Sequence, residues 1–169
     1  MKFITLEDFK KTAAEDKYYH LERWELYSRV VDILKGMDIQ SSLELGPHLL
    51  PIVHDGHTMD KRDTLPPTIQ HDATVVPWPI ERRYDCFIAL QVWEHLKGNQ
   101  QAAFSEVQKF ADNAVLSFPY KWDCPKNPSH HSITCDTIEK WTNGFSPESI
   151  TVVPSKTDRR RIIYHFKLK

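Results

Sequence analysis

Hydrophobic and polar positions change their period several times along this chain, and the changes mark its elements. Leu6 and Phe9 begin an apolar face just after Thr5, with Asp8 three residues on, which predicts a first helix opened by a capping box. From Tyr19 to Lys35, Leu21, Trp24, Tyr27, Val30, Val31 and Leu34 recur at spacings of three and four. That spacing predicts an amphipathic helix, stopped by Gly36. The period then shortens. Ser41 to Gly46, His57 to Asp60 and Thr68 to Asp72 read as three short strands. Tyr84 to Gln91 and Ala114 to Phe118 are near-continuous apolar runs, as expected of strands covered on both faces. Between them, Ala103, Val107, Phe110 and Ala111 place a helix over Asn99 to Asp112. A further helix is expected from Thr134 or Asp136 to Asn143, before Gly144. Ser149 to Val153 and Arg161 to Leu168 close the chain as two strands. Their short link through Thr157-Asp158 predicts an antiparallel hairpin.

Alternating strands and helices imply an α/β fold. The expectation is one Rossmann-like domain over residues 1–169: N-terminal helices over 1–40, then a sheet core over 41–169. The sheet would be mainly parallel, of about seven strands, with helices on both faces and a C-terminal antiparallel hairpin. The stretch from Lys121 to Ser132 is the longest irregular segment and follows a strand. Ligands of open α/β sheets sit beyond the carboxyl ends of strands, so this loop is placed to wall a substrate site.

Composition narrows the function classes. Lys+Arg number 22 against 23 Asp+Glu, which excludes a strongly basic nucleic-acid footprint. Nothing approaches a membrane span, and Met1 to Lys17 lacks the apolar core of a signal peptide. Cys86, Cys124 and Cys135 leave at least one thiol unpaired, which favours a reducing, cytoplasmic setting.

The chemistry concentrates at strand ends. Leu43-Glu44-Leu45-Gly46 ends a strand in a glycine, where backbone can approach a polar ligand closely. Asp60 ends the next strand, where a carboxylate can accept both hydroxyls of a ribose. Asp72, followed by the small Ala73, suits an exocyclic amine and a flat ring. Leu90-Gln91-Val92-Trp93-Glu94-His95-Leu96 follows the fourth strand.

In this pattern the chain resembles the class I S-adenosylmethionine-dependent methyltransferases. The resemblance rests on His71-Asp72-Ala73-Thr74, Pro77-Trp78-Pro79 and the run from Tyr84 to Leu96. Leu43 to Pro47 resembles the family's first motif, and the order of elements from Ser41 to Lys169 matches its seven-stranded sheet. The resemblance implies S-adenosyl-L-methionine as cofactor and a small-molecule methyl acceptor. It implies that Glu44 and Gly46 line the methionine part, that Asp60 holds the ribose, and that Asp72 and Ala73 meet the adenine. Leu90 and Gln91 would pass beneath the sulfonium. The chain departs from the family where one or two further glycines are usual, since Gly46 is followed by Pro47-His48-Leu49-Leu50-Pro51.

Methyl transfer from a sulfonium is an in-line displacement that depends chiefly on alignment. A base is needed only if the acceptor loses its proton late, and His95 and His131 are the candidate catalytic groups. Tyr120, Trp122 and His131 are the candidate substrate contacts. Each also has a plain structural reading, as a packing aromatic or a loop tie. Trp24 and Tyr27 read first as core, ahead of a role covering the cofactor.

Two histidine-rich groups stand out: His48, His54, His57 and Asp60, and Cys124, His130, His131 and Cys135. Neither has the paired spacing of a metal site, so no metal is expected. Arg159-Arg160-Arg161, with Lys156 before it, reads as a solvated turn; neither nucleic acid nor membrane is expected as a partner. A homodimer is allowed, although no sequence feature marks its interface. The rival reading is a non-catalytic module, binding S-adenosylmethionine or a protein partner on a degenerate methyltransferase fold.

Overall fold

The computed structural model describes residues 1–63, 65–155 and 159–169. Helix α1 (Leu6–Glu15) opens with the expected capping box. The Asp8 amide donates to Thr5 Oγ1 at 3.2 Å, and the Thr5 amide donates to Asp8 Oδ2 at 2.8 Å. The second helix starts later than its periodicity suggests. Two single 3-10 turns, Lys17–Tyr19 and Leu21–Arg23, precede α2 (Trp24–Gly36). Asp16 and His20 are extended, so the chain steps twice before it winds continuously. That step carries Tyr19 away from the helix face and into the protein.

The strands are β1 (Ser42–Leu45), β2 (His57–Asp60), β3 (Ile69–Gln70), β4 (Tyr84–Leu90), β5 (Ala111–Pro119), β6 (Ser149–Val153) and β7 (Arg161–Lys167). Helices α3 (Gln100–Phe110) and α4 (Cys135–Trp141) lie before and after β5. β3 is shorter than its pattern, because only Ile69 and Gln70 align with Met59 and Asp60. β5 begins three residues earlier than its apolar run and directly at the end of α3. Its first residues pair with β4, Tyr84 opposite Ala111 and Cys86 opposite Asn113.

One sheet holds all seven strands in the order β3-β2-β1-β4-β5-β7-β6. The first five run parallel, and β7 pairs antiparallel with both β5 and β6. The link at Thr157-Asp158 lies outside the described residues. Period-two alternation sorts β4 between two cores. Phe87 and Ala89 pack with Ala103, Phe104, Val107 and Phe110 of α3 and Ile138 of α4. Cys86, Ile88 and Leu90 face the other way, against Phe9 of α1 and Leu26, Val30 and Leu34 of α2. Tyr27 belongs to that second core and Trp24 packs on its edge, as their core reading expects. All three cysteines are free thiols, and Cys86 is fully buried. Among the described residues no helix is long and apolar enough to cross a membrane.

The basic cluster is exposed at Arg159 and Arg160, as a solvated turn would be, but not at Arg161. Arg161 is 6% exposed at the start of β7, and the guanidiniums of Arg159 and Arg161 lie over the Trp122 ring. Lys156 lies outside the described residues.

Candidate active site

The switch in strand order between β1 and β4 opens a crevice at the carboxyl ends of the strands, the place where such sheets hold ligands. A cavity of about 400 Å³ fills it. Leu45 and Gly46 from the end of β1, Asp60 to Arg62 from the end of β2, and His71 to Thr74 after β3 line it. Gln91, Val92, His95 and Leu96 after β4 close its floor, and Tyr18 and His48 cover it from the other side.

Gly46 has φ +65, and a Cβ there would stand 2.9 Å from Val92 Cγ2. The turn out of β1 therefore needs glycine for conformation and for closeness. The segment that follows takes the place of a glycine-rich loop, and two buried side chains hold it. The Tyr19 hydroxyl donates to the Pro47 carbonyl at 2.9 Å and accepts from the Leu49 and Leu50 amides at 2.9 and 3.0 Å. Glu44 Oε2 accepts from the Ile52 amide at 2.7 Å. Glu44 is thus a brace beneath the loop; it does not line the cavity. Burial pushes its carboxyl up to about 8. Leu49 and Leu50 turn into the second core and leave the cavity open.

Asp60 is 8% exposed and clasped by its neighbour. Its Oδ1 accepts from the Arg62 amide at 2.9 Å, and its Oδ2 accepts from the guanidinium at 3.0 Å. Burial acts to raise its pKa, but the Arg62 hydrogen bonds and charge outweigh it and hold the carboxyl low. Asp72 Oδ1 accepts from the amide and hydroxyl of Thr74, at 3.0 and 2.9 Å. Those bonds, the backbone one first, also hold it ionised. The segment between is pinned from behind: Trp78 Nε1 donates to the Ala73 carbonyl at 3.1 Å, and the Trp78 amide donates to Glu106 Oε2. Gln91 turns the chain out of β4 with φ +59, its amide donating to the carbonyl and hydroxyl oxygens of Ser117. Leu90 is buried just behind it, off the cavity wall.

Of the sequence candidates, the fold brings Gly46, Asp60, Asp72, Ala73, Gln91 and His95 to one cavity. Tyr120, Trp122 and His131 do not line it. Tyr120 packs on the first core, and the Trp122 indole donates to the Arg160 carbonyl. His131 Nδ1 accepts from the Cys124 amide at 3.1 Å, which ties the Lys121 to Ser132 loop to itself. Its neighbour His130 reaches His95 instead, its Nε2 3.0 Å from His95 Nε2. Burial lowers the pKa of both His95 and His130. Of the other lining residues, His71 and Thr74 flank Asp72 and Ala73 in the motif read from the sequence, whereas Tyr18, His48, Lys61 and Arg62 were not assigned to the site. For Lys61 and Arg62 a signal was available in their place directly after Asp60, since a cation beside a strand-end carboxylate marks an ion pair.

This fold has counterparts among solved structures. An N-methyltransferase, NodS of Bradyrhizobium japonicum, in complex with S-adenosylhomocysteine, superposes with a TM-score of 0.67 over 88% of each chain, at 12% identity. The chain has the fold of the class I S-adenosylmethionine-dependent methyltransferases. Magnesium protoporphyrin IX methyltransferase of Synechocystis, with bound S-adenosylhomocysteine, matches at TM-score 0.60 and 16% identity, over 86% of this chain and 82% of its own. An S-adenosylmethionine-dependent methyltransferase of Clostridium acetobutylicum matches at 0.62 and 8% identity, over 95% and 98%. By sequence the chain matches no family profile and no curated protein.

Proposed function

We propose that this protein binds S-adenosyl-L-methionine and transfers its methyl group to a small-molecule acceptor. The observation that carries the proposal is the convergence of Gly46, Asp60, Asp72 and Ala73, from three successive strand ends, on one crevice of the methyltransferase fold. Asp60 would accept the ribose hydroxyls, with Arg62 keeping it ionised. Asp72 would accept from the adenine amine, and Ala73 leaves room for the ring. Gly46 would pass its backbone close to the methionine part, and Gln91 would lie near the sulfonium. Glu44 would contribute indirectly, by bracing the loop through Ile52.

Displacement at a sulfonium carbon needs donor and acceptor aligned, and a walled crevice supplies that alignment. His95 lies on the wall with its pKa lowered by burial, so at neutral pH its imidazole is free to accept a proton from an acceptor. The structural neighbours include enzymes crystallised with S-adenosylhomocysteine, which supports the cofactor assignment.

The test is thermal unfolding with and without S-adenosylmethionine and S-adenosylhomocysteine. At about 100 times the dissociation constant, ligand adds about 2.7 kcal/mol. For a chain of this size that raises Tm by about 5–10 °C. Asp60→Ala and Asp72→Ala are each expected to weaken binding about 10–100-fold, the worth of a charge-assisted hydrogen bond. A shift without methyl transfer to any acceptor would favour the non-catalytic module, and no shift at millimolar ligand would sink the cofactor assignment.

A further inference from the structure

Glu94 sits in the short 3-10 turn Trp93–His95 that follows β4. Its side chain is fully buried, and neither carboxylate oxygen has a hydrogen-bond partner. A buried carboxylate without partners costs several kcal/mol unless something neutralises it. Two imidazoles stand close to it. Glu94 Oε1 lies 3.8 Å from His130 Nε2, and His130 Nε2 lies 3.0 Å from His95 Nε2. The ligating atoms of Glu94, His95 and His130 all fall within 4.8 Å of one another, the one such trio among the described residues. His95 also lines the cavity.

From this geometry we infer that Glu94, His95 and His130 bind a divalent transition-metal ion at the edge of the cavity. Metal–ligand bonds of about 2.0–2.2 Å place neighbouring ligand atoms about 2.8–3.6 Å apart at tetrahedral or octahedral angles. The 3.0 Å imidazole pair lies inside that range, and the 3.8 Å pair needs only a small side-chain adjustment. Two neutral imidazoles facing each other through Nε2 need a proton or a cation between them, and a cation would also satisfy the carboxylate beside them. The ring at His130 is oriented from outside, with Asn127 Nδ2 at 3.2 Å from Nδ1. With a metal on Nε2, Nδ1 carries hydrogen, and the Asn127 amide has to turn over so that its oxygen accepts from it, as outer partners of metal-bound imidazoles commonly do.

The donor set of two imidazoles and one carboxylate suits Zn²⁺, Fe²⁺, Co²⁺ or Mn²⁺, and not Mg²⁺ or Ca²⁺, which prefer oxygen throughout. Arg23 and Arg161 are the charged groups whose fields reach the Glu94 carboxyl. The same guanidiniums repel a cation, so affinity must come from the three ligands themselves. Three protein ligands leave coordination positions open. With the ion bound, His95 is a ligand instead of a proton acceptor.

Neither sequence-level histidine group anticipated this site. It draws one residue from the second group, His130, and joins it to Glu94 and His95, 35 residues earlier for the histidine pair. The inference stands apart from the methyl-transfer proposal, since it concerns binding of an ion.

The test uses the full chain, stripped with chelator and then dialysed against Co²⁺ or Zn²⁺ alone, with Mg²⁺ as contrast. One equivalent of Co²⁺ is expected by elemental analysis, with visible d–d absorption, and none of Mg²⁺. Glu94→Gln and His130→Ala are each expected to lose at least about 100-fold in affinity, beyond the 10–100-fold of a lost outer partner. His54→Ala should leave binding unchanged, because His54 pairs with Asp8 on the far side of the loop. If Glu94→Gln fails to fold, His130→Ala, on a partly exposed loop, decides alone. No retained ion in folded protein, or retention unchanged in His130→Ala, would overturn the inference. The S-adenosylhomocysteine shift, read on the same samples, separates this outcome from failure of the cofactor proposal.

Discussion

Glu44 and Tyr19 do the same work from opposite sides of one loop. Each uses a buried oxygen to satisfy amides that a glycine-rich turn would have offered to a ligand. Tyr19 is raised to about 12 by burial, so its hydroxyl stays protonated and can both donate and accept. Glu44 titrates nearer neutrality, and its linkage has a definite sign. The folded carboxyl, pushed up to about 8 by burial, holds a proton that the unfolded chain releases near 4.5. Between those values the native state binds more protons through Glu44, so this group's contribution to stability is full below pH 4.5 and is lost as pH rises toward 8. That loss is about 1.4 kcal/mol per pH unit inside the window. Glu44→Gln should remove this slope, so urea midpoints of variant and wild type, measured from pH 5 to 9, should diverge in the variant's favour as pH rises. Parallel midpoints across that range would contradict a buried, proton-holding Glu44. Among the candidate site residues, those at strand ends were legible because a carboxylate or glycine after an apolar run has few other uses. Tyr18 and His48 were not, because each reaches the cavity from a turn or loop with no period of its own, and neither was His130, which meets His95 from a loop.

At the level of elements, the boundaries follow local chemistry where the chain is exposed and tertiary demand where it is buried. Helix α1 starts where Thr5 and Asp8 say it should, since a capping box satisfies its own orphan amides without help. Thr5→Ala is expected to cost about 1 kcal/mol, read as a lowered denaturant midpoint at unchanged slope. The start of α2 moved because Tyr19 has to leave the helix to reach Pro47. β5 extends to Ala111 because β4 offers it partners from Tyr84 onward, a pairing that the hydrophobic run alone does not announce. The Lys121 to Ser132 loop shows the same limit at one residue's resolution. Adjacent histidines point to different places, His131 to the Cys124 amide and His130 to His95. Which of two neighbours faces the site depends on the turn the loop makes, and composition does not encode it.

For the whole molecule, the sheet divides two cores, and the crevice exists because strands on either side of β1 and β4 leave in opposite directions. The site is therefore only as rigid as both cores. Phe104 of α3 is fully buried between Trp93, Phe145 and Phe166, so it joins the turn after β4 to the terminal hairpin. Phe104→Ala should cost about 3–5 kcal/mol. Equilibrium unfolding should show this as one earlier transition, with the turn bearing Glu94 and His95 loosened in hydrogen exchange. A normal midpoint would mean that the terminal hairpin is held by other contacts.

By itself the sequence determined the α/β class, the order of the strands and helices, the closing hairpin and the strand-end residues that converge. These follow from hydrophobic period and from residues with narrow conformational or chemical uses, both local properties. Tertiary structure alone decided that Glu44 braces the loop while Asp60 faces the cavity. It also decided that Arg161 is buried, and that Glu94, His95 and His130 meet. Those outcomes depend on distances across the fold, set by packing between residues that no window along the chain contains.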